Sequence, residues 1–319
     1  MGDVIGIGAL NLDLFYEVGD LESLGLKGGR EEAGKVVFDE LKDRLERFGR
    51  LVAKSAGGSA ANTVFALQRL GFQTAFVGRV GEDLEGEEVL KGMEGVDLSR
   101  VKRLGKTGLC LVVLDHRRDR ALVVKPNAND LFDFADVDMD FLQRFKFVHM
   151  SSFSADRALQ AQLEVARRLP PPIKLSLDPG ELYAKRGLED IRGLVERSWI
   201  VFLTEDELQM MTGKELKEGV RELLSLGPQW VVVKKGKKGA MAFCQKEVLE
   251  LEPKEEVEVV DNTGAGDVFN AGVLAGILKG RSMEECLRFG HYLASKSLKG
   301  YGRAKYPERG DLAYLLTVK

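Results

Sequence analysis

The sequence is poor in the residues that build disulfide scaffolds and zinc sites. It has only three cysteines in 319 residues, Cys110, Cys244 and Cys286, with no Cys-x-x-Cys pair and no histidine at metal-ligating spacing. A small disulfide-bonded or zinc-held fold is therefore not expected. Widely separated thiols fit a reducing compartment, so we expect a cytoplasmic protein.

The chain also lacks an excess of charge of one sign and a long apolar run. It has 47 basic and 50 acidic side chains, interleaved to a net charge of −3, so no nucleic-acid-binding face is expected. No stretch reaches membrane-spanning length. The apolar stretch 4–10 is interrupted by glycine and lacks a basic leader, which indicates a strand rather than a signal peptide.

Two common nucleotide-binding signatures are missing. The pair Gly6 and Gly8 is followed by Asn11, where the dinucleotide-binding fingerprint requires a third glycine, and no G-x-x-x-x-G-K-[ST] sequence occurs. If this protein handles phosphate, another loop must hold it.

The segment 261–267, D-N-T-G-A-G-D, is the best candidate for that loop. Its small residues leave backbone N–H groups uncovered where a helical pattern begins, and such a helix start can hold an anion. Asp267 adds a carboxylate at the same place. A base beside an anion cradle suits phosphoryl transfer to an alcohol, although an acid near a helix N-terminus also has a purely structural explanation.

Two further polar groups follow predicted strand ends. The segment 57–62, G-G-S-A-A-N, opens a helix and presents Asn62, whose amide both donates and accepts hydrogen bonds as sugar hydroxyls require. Asn11 and Asp13 follow the first strand, at the edge where parallel sheets bind ligands. Ordinary turns and loop caps are the alternatives at each position.

Strand-like and helical patterns alternate along the chain, which predicts an α/β fold with a mainly parallel central sheet covered by helices on both faces. The predicted strands are 4–10, 73–77, 147–150, 173–177, 200–203 and 230–233. The predicted helices are 60–70, 155–169, 188–196, 205–211, 220–226, 265–278 and 283–298.

Two segments break this alternation and predict a small lid. The stretch 12–18 reads as a strand, and 107–125 as a hairpin; together they suggest an antiparallel flap over one edge of the sheet. An amphipathic helix at 36–48 either forms a dimer interface or buttresses the lid. Residues 1–319 are expected to form a single domain.

The two glycine motifs, together with G-R-V-G-E-D at 78–83 between them, resemble the signatures of the PfkB carbohydrate kinases. This is the superfamily of ribokinase and adenosine kinase, and the resemblance spans nearly the whole chain. It implies a ribokinase-like fold with a β lid. It also implies an ATP- and Mg²⁺-dependent kinase, with a monovalent cation, K⁺, as an optional addition.

The resemblance assigns roles to particular residues. Asp267 takes the position of the general base, the N–H groups of Gly264, Ala265 and Gly266 form the anion hole, and Glu207 is linked to Mg²⁺. The implied acceptor-binding residues are Asn11, Asp13, Gly57, Gly58 and Asn62. The implied nucleotide-binding residues are Thr204, Lys235, Gly236 and Gly239, where Thr204 replaces the family's usual asparagine.

The acceptor stays open at this level. A sugar is expected, with a nucleoside as the alternative, since Phe15 and Tyr16 on the lid suit stacking on a base and the insertion 21–54 resembles that of adenosine kinase-like members. A catalytically silent sugar- or nucleotide-binding protein is a third hypothesis. The retained carboxylate at 267 argues against it, because a pure binder needs no base beside phosphate.

Overall fold

The short β-branched and aromatic segments form the centre of the molecule in a computed structural model of the chain. The structure describes residues 1–28, 30–32, 37–252 and 257–317. Its strands are β1 Gly2–Ile7, β2 Asn11–Glu17, β3 Arg30–Glu32, β4 Arg50–Gly57, β5 Thr74–Val80, β6 Asp97–Arg103, β7 Gly108–Leu114, β8 Arg120–Lys125, β9 Phe145–Ser151, β10 Lys174–Asp178, β11 Ser198–Thr204, β12 Trp230–Lys234, β13 Ala240–Phe243 and β14 Val248–Leu251.

Every helix predicted from the sequence is present among the described residues, and four further helices, at 84–91, 139–142, 180–186 and 312–317, were not predicted. The helices are α1 Phe38–Phe48, α2 Ser59–Arg69, α3 Leu84–Lys91, α4 Met139–Leu142, α5 Asp156–Arg168, α6 Gly180–Arg186, α7 Leu188–Arg197, α8 Glu205–Thr212, α9 Leu216–Leu226, α10 Ala265–Leu278, α11 Met283–Ser297 and α12 Leu312–Thr317. The first residue of the helix predicted at 36–48 lies outside the described residues. Within the described chain, every helix falls short of the length and apolarity that crossing a bilayer requires.

The larger sheet has the order β14-β13-β12-β11-β10-β9-β1-β5-β6. All neighbours from β12 to β6 pair in parallel, whereas the two pairs at one edge, β12–β13 and β13–β14, are antiparallel. Successive side chains alternate between two cores: Val4 belongs to one buried cluster, while Ile5 and Ile7 belong to another. This confirms the predicted doubly covered parallel sheet.

Helix α10 lies deep in the first of these clusters. Residues 268–276 are all buried, so this helix has no solvated stripe. It crosses α11 closely, because a Cβ added to Gly272 would meet the Gly290 Cα at 2.5 Å. A helix enclosed in this way holds its first turn in a fixed place.

A second sheet carries the segments expected to form the lid. Its order is β3-β8-β7-β2-β4, with segment 12–18 lying largely in β2 and the predicted hairpin in β7 and β8. The expected antiparallel arrangement is wrong in one respect, since β2 pairs in parallel with β7 and β3 with β8. The long connection between β2 and β7 passes through the larger sheet, which provides the crossover that parallel pairing requires.

Helix α1 covers part of this second sheet. Phe38, Leu41 and Leu45 are buried in the same cluster as Leu12 and Leu14 of β2. Their spacing places them on one face of the helix. This packing matches the buttressing role considered for the helix.

Candidate functional site

Polar side chains gather at the carboxyl ends of the parallel strands. Asn11 follows β1, Asp178 ends β10, Thr204 ends β11 and Lys234 ends β12. The first turns of α2 and α10 reach the same edge, since Ser59 of α2 donates to Asp267 of α10. Open parallel sheets bind ligands at this edge, so the residues chosen from the sequence converge where a ligand is expected.

Asp267 is the third residue of α10 and is held by three side chains of α2. The Ser59 hydroxyl donates to its Oδ1 at 2.7 Å, and Asn62 Nδ2 donates to its Oδ2 at 2.9 Å. The Thr63 hydroxyl donates to the Asp267 carbonyl at 3.1 Å. Asp267 and Ser59 keep partial solvent exposure. The carboxylate is therefore fixed in orientation, on a residue that is only partly buried.

The turn before α10 requires a glycine at position 264. Gly264 has φ +75°, and a Cβ there would lie 2.4 Å from the Tyr306 hydroxyl and 3.3 Å from Asn62 Nδ2. Both the left-handed backbone and the close neighbours disfavour a side chain. The first-turn N–H groups that follow have no intrahelical partner, although that of Ala265 makes a 3.3 Å contact with the Asn262 carbonyl.

The residues expected to bind the acceptor lie together beside this turn. Asn11 is paired with Gly57 of β4 in the smaller sheet, and its Oδ1 accepts from Asn129 Nδ2 at 2.9 Å. Asp13 lies against Gly57, where a Cβ would meet its Oδ2 at 2.1 Å. The structure thus brings Asn11, Asp13 and Gly57 into one group. Gly58 and Asn62 follow directly at the start of α2.

Burial controls the charge of the two carboxylates nearest this group. It raises the pKa of Asp267 to about 6; the charge of Asp178 adds to the rise, while hydrogen bonds from Asn62 and Ser59 oppose it. Burial also raises the pKa of Asp13 to about 7, against the attraction of Arg303. Both groups therefore titrate close to neutral pH, which is common for proton-transfer residues in clefts.

A buried cation lies behind the first turn of α10. Lys234 Nζ lies 2.6 Å from Asp178 Oδ2 and would lie 3.4 Å from a Cβ built on Gly266. Asn270 Nδ2 donates to the same Asp178 oxygen at 2.6 Å. Lys234 and Asn270 outweigh burial and hold the pKa of Asp178 below its usual value. Positive charge thus lies next to the exposed N–H groups.

Thr204 and Glu207 form a capping box at the start of α8. The Thr204 N–H donates to Glu207 Oε2 at 2.7 Å, and the Glu207 N–H donates to the Thr204 hydroxyl at 3.2 Å. The Thr204 hydroxyl is therefore engaged by the helix itself. Burial raises the pKa of Glu207, and the Asp178 charge adds to this rise while Lys234 opposes it.

The residues around Glu207 fit Mg²⁺ only if nucleotide phosphates and water supply most of its ligands. Among the described residues, no group of three or more His, Cys, Asp or Glu side chains is arranged to hold a metal ion. Magnesium bound to nucleotide phosphates needs only one or two protein carboxylates and keeps several waters. Glu207 satisfies that smaller requirement.

The turn after β12 carries the remaining predicted nucleotide contacts. Gly236 and Gly239 have φ of +56° and +89°, and a Cβ on Gly236 would meet nothing within 4 Å. Lys235 Nζ lies 3.4 Å from Glu250 Oε1, so it pairs with β14 in this structure. Because β11 and β12 are neighbours, this turn lies beside Thr204.

Several site residues were not assigned from the sequence. Lys234 follows the predicted strand 230–233, so its position at a strand's carboxyl end was an available signal. Ser59 lies within the recognised motif but was given no role, and Asp178 directly follows the predicted strand 173–177. Asn129 and Arg303 carry no local signal, because their partners lie far away in the sequence.

Comparisons with known proteins show a similarity to one family of kinases. Residues 36–308 match a family model described as "pfkB family carbohydrate kinase". An uncharacterized sugar kinase of Archaeoglobus fulgidus is 34% identical over 239 residues, which cover 74% of this chain and 95% of the relative. A cytidine kinase of Thermococcus kodakarensis is 30% identical over 255 residues, which cover 77% of this chain and 88% of the relative.

Solved structures show the same fold over the full length. Adenosine kinase from Sinorhizobium meliloti superimposes with a TM-score of 0.89 at 24% identity, covering 99% of both chains. Ribokinase of Arabidopsis thaliana, complexed with ribose and ATP, superimposes with a TM-score of 0.77 at 25% identity, covering 100% of this chain and 99% of the other.

Proposed function

The chain belongs to the pfkB family of carbohydrate kinases, and we propose that it transfers the terminal phosphoryl group of ATP to a hydroxyl of a small sugar or sugar-like acceptor. The observation that carries this proposal is the position of Asp267. It is the carboxylate of a partly exposed residue in the first turn of α10, one position after Gly266 and three after Gly264. A base and an anion cradle therefore adjoin in one cleft.

In the proposed mechanism, Asp267 accepts the proton of the attacking hydroxyl. Its pKa of about 6 leaves it mostly ionised at neutral pH, yet basic enough to accept a proton as the new O–P bond forms. Ser59 and Asn62 keep the carboxylate oriented by donating one hydrogen bond to each oxygen. Geometry and protonation state thus both support the role of base.

The N–H groups of Gly264, Ala265 and Gly266 form the proposed anion hole. Negative charge on the transferring phosphoryl group would be stabilised by these donors and by the positive end of α10. The cation at Lys234, against Gly266, adds to the same field. Preorganised donors of this kind need little rearrangement during the reaction.

Nucleotide binding is proposed at the ends of β11 and β12. Thr204, Lys235, Gly236 and Gly239 would contact the nucleotide, and Glu207 would face its Mg²⁺ through water. Bound Mg²⁺ neutralises phosphate charge in such reactions. Lys235 would have to leave Glu250 to reach a phosphate, which a partly solvated pair with 3.4 Å separation permits.

A sugar is the proposed acceptor because hydroxyls suit the polar groups present. Asp13 accepts hydrogen bonds when ionised, Asn11 both donates and accepts, and one Asn62 Nδ2 hydrogen remains beyond the bond to Asp267. Gly57 and Gly58 allow a ring to approach the backbone. The sugar kinase relative from Archaeoglobus fulgidus supports this choice.

A nucleoside acceptor is the second candidate. One face of the smaller sheet carries a buried apolar cluster of Phe15, Cys110, Val112 and Leu114, next to Asp13 on the same face of β2. Phe15 is fully buried beneath Tyr301, 6.2 Å away between ring centres, so a base would stack on it only after Tyr301 moves aside. The cytidine kinase relative supports this alternative.

The decisive test is a panel of sugars and nucleosides assayed for acceptor-dependent ADP formation with ATP and Mg²⁺. We expect one acceptor class to stimulate ADP formation, while ATP hydrolysis without an acceptor stays slow. The Asp267→Asn variant is the matched control for background phosphatase activity. Measurable sugar or nucleoside binding with phosphate transfer to none of them would instead support the catalytically silent binding protein.

A further inference from the structure

A buried arginine from the far end of the chain contacts the residue that orients Asp267. Arg303 lies in the segment after α11, and its Nε donates to Asn62 Oδ1 at 3.0 Å. Its Nη1 donates to the Gly92 carbonyl at 2.8 Å, and its guanidinium lies 4.7 Å from the centre of the Phe65 ring. Two separate parts of the chain, α2 and the residue that follows α3, therefore fix the position of this side chain.

The contact with Asn62 determines which way the amide of that residue points. A guanidinium can only donate hydrogen bonds, so it must take the amide oxygen. The nitrogen Nδ2 is then directed at Asp267, where it donates to Oδ2 at 2.9 Å. A flipped amide would place Oδ1 against the carboxylate, and two acceptors would repel each other. Arg303 therefore excludes the unproductive orientation of Asn62.

We propose that Arg303 is a positioning residue for Asp267 that acts through the side-chain amide of Asn62. This inference rests on the proposed role of Asp267 as the base. The guanidinium fixes the donor that holds Oδ2, while Ser59 holds Oδ1 independently. Loss of Arg303 therefore leaves Asp267 in place but frees one of its two oxygens.

The charge of Arg303 acts in the same direction as its hydrogen bond. Its positive charge attracts Asp13 and Asp267, which opposes the burial that raises the pKa of Asp13. The other groups that face Asp267 are all still present when Arg303 is replaced. They are Asp178 of β10, Lys234 of β12, Asp13 of β2, Ser59 and Asn62 of α2, and Tyr306. Removal of Arg303 alone should therefore raise the pKa of Asp267.

The first test compares Arg303→Met and Arg303→Lys with Arg69→Met, which removes an exposed arginine paired with Glu308. We expect Arg303→Met to lower kcat about 10- to 100-fold at pH 7 and to shift the acid limb of the kcat profile upward by about one unit, with KM for ATP unchanged. Arg303→Lys keeps the charge and should leave the acid limb near its original position. Arg69→Met should match the parent.

A result that overturns the proposal is equally clear. If Arg303→Met lowers kcat by the same factor at every pH, or if Arg303→Lys shifts the limb as far as Arg303→Met does, the arginine only supports the fold. Should Arg303→Met fail to fold, the kcat profile of Arg303→Lys still decides. An acid limb that moves upward by about one unit in Arg303→Lys, although the positive charge is kept, would contradict a role for that charge.

The second test needs no activity and separates this proposal from the kinase assignment. The carboxyl carbon of Asp267 is followed by ¹³C NMR titration in the parent and in both Arg303 variants, with Asp267→Asn identifying the resonance. We expect an upward shift of the Asp267 pKa in Arg303→Met alone. An unchanged titration would refute the positioning role, even if the protein phosphorylates a sugar. A shifted titration would support that role, even if no acceptor is found.

Discussion

Lys234 and Asp178 form a buried ion pair across the end of β11. Their Nζ and Oδ2 atoms are 2.6 Å apart, and the side chains are only 14% and 5% exposed. Since β11 lies between β10 and β12 in the sheet, the pair joins two strands that do not touch. It also fixes a cation next to Gly266.

The first prediction concerns the stability that this pair provides. Lys234→Met should lower the free energy of unfolding by about 3–5 kcal/mol, because it leaves the Asp178 carboxylate buried without its cation. Adding Asp178→Asn should recover part of the loss, since no charge then remains buried. Urea unfolding of the single and double variants measures this coupling.

An exposed lysine–aspartate pair provides the matched control. Lys146 Nζ lies 2.8 Å from Asp3 Oδ1, but the lysine is 48% exposed. Lys146→Met should therefore change the free energy of unfolding by no more than about 1 kcal/mol. Equal losses in the Lys146 and Lys234 variants would show that burial does not govern the strength of these pairs.

The second prediction concerns the proposed base. Asp267→Asn should lower kcat about 10²- to 10⁴-fold, because the variant cannot accept the hydroxyl proton. ATP binding, measured by calorimetry, should persist because the backbone cradle remains. Asp140→Asn changes an exposed acid on α4 and should retain parental kcat. A kcat within tenfold of the parent in Asp267→Asn would rule out the role of base.

The third prediction concerns the pH dependence of stability. Burial raises the pKa of Asp13 from 3.8 to about 7, so the folded protein holds this proton more tightly than the unfolded chain does. The resulting stabilisation is fully present below about pH 4 and is lost as the pH rises through 7. Between pH 4 and 8, Asp13→Asn should therefore gain up to about 4 kcal/mol of stability relative to the parent.

Urea unfolding of the parent and of Asp13→Asn at several pH values between 4 and 8 measures this effect. Asp140→Asn is again the control, because it replaces an exposed carboxylate on α4 by an amide. A constant difference between Asp13→Asn and the parent across this range would mean that Asp13 titrates as it does in the unfolded chain.

The fourth prediction concerns the turn that precedes α10. Gly264→Ala should fold but lose at least about tenfold in kcat, because its Cβ would displace Tyr306 or Asn62. The left-handed backbone at this position adds about 1–2 kcal/mol of strain. Gly280→Ala introduces the same strain, at φ +70°, with nothing within 4 Å. Steady-state kinetics of the two variants distinguish the steric clash from the backbone strain as the cause of the lost activity. Equal kcat values would attribute the whole loss to backbone strain.

The parallel sheet and the position of its ligand-binding edge could be predicted because each strand carries its own signal. Segments such as 230–233 are β-branched runs bounded by turn residues, and parallel strands of this kind must be covered on both faces. Strand β6 was missed because its sequence, D-L-S-R-V-K-R, is largely polar and occupies an edge. Strand β14, V-L-E-L, occupies the opposite edge, whereas β13, A-M-A-F, was missed because four residues are too few to show a clear period.

The site was predictable where a motif carried it and unpredictable where the fold assembled it. Asp267 and Asn62 lie in glycine motifs whose local geometry can be inferred from small residues. Arg303 reaches Asn62 across 241 positions, so only the tertiary structure brings them together. The pairing of β2 with β7 in parallel depended likewise on how the chain crosses the larger sheet.

The enclosed position of α10 has a consequence for how this protein engages its ligands. Asp267 and Asn62 lie on helices α10 and α2, whereas Asn11 and Asp13 belong to β2 of the smaller sheet. A ligand that contacts both pairs would connect these two helices with the smaller sheet. Such a ligand would be held in part by α10, whose enclosed position fixes that share of the contacts in place.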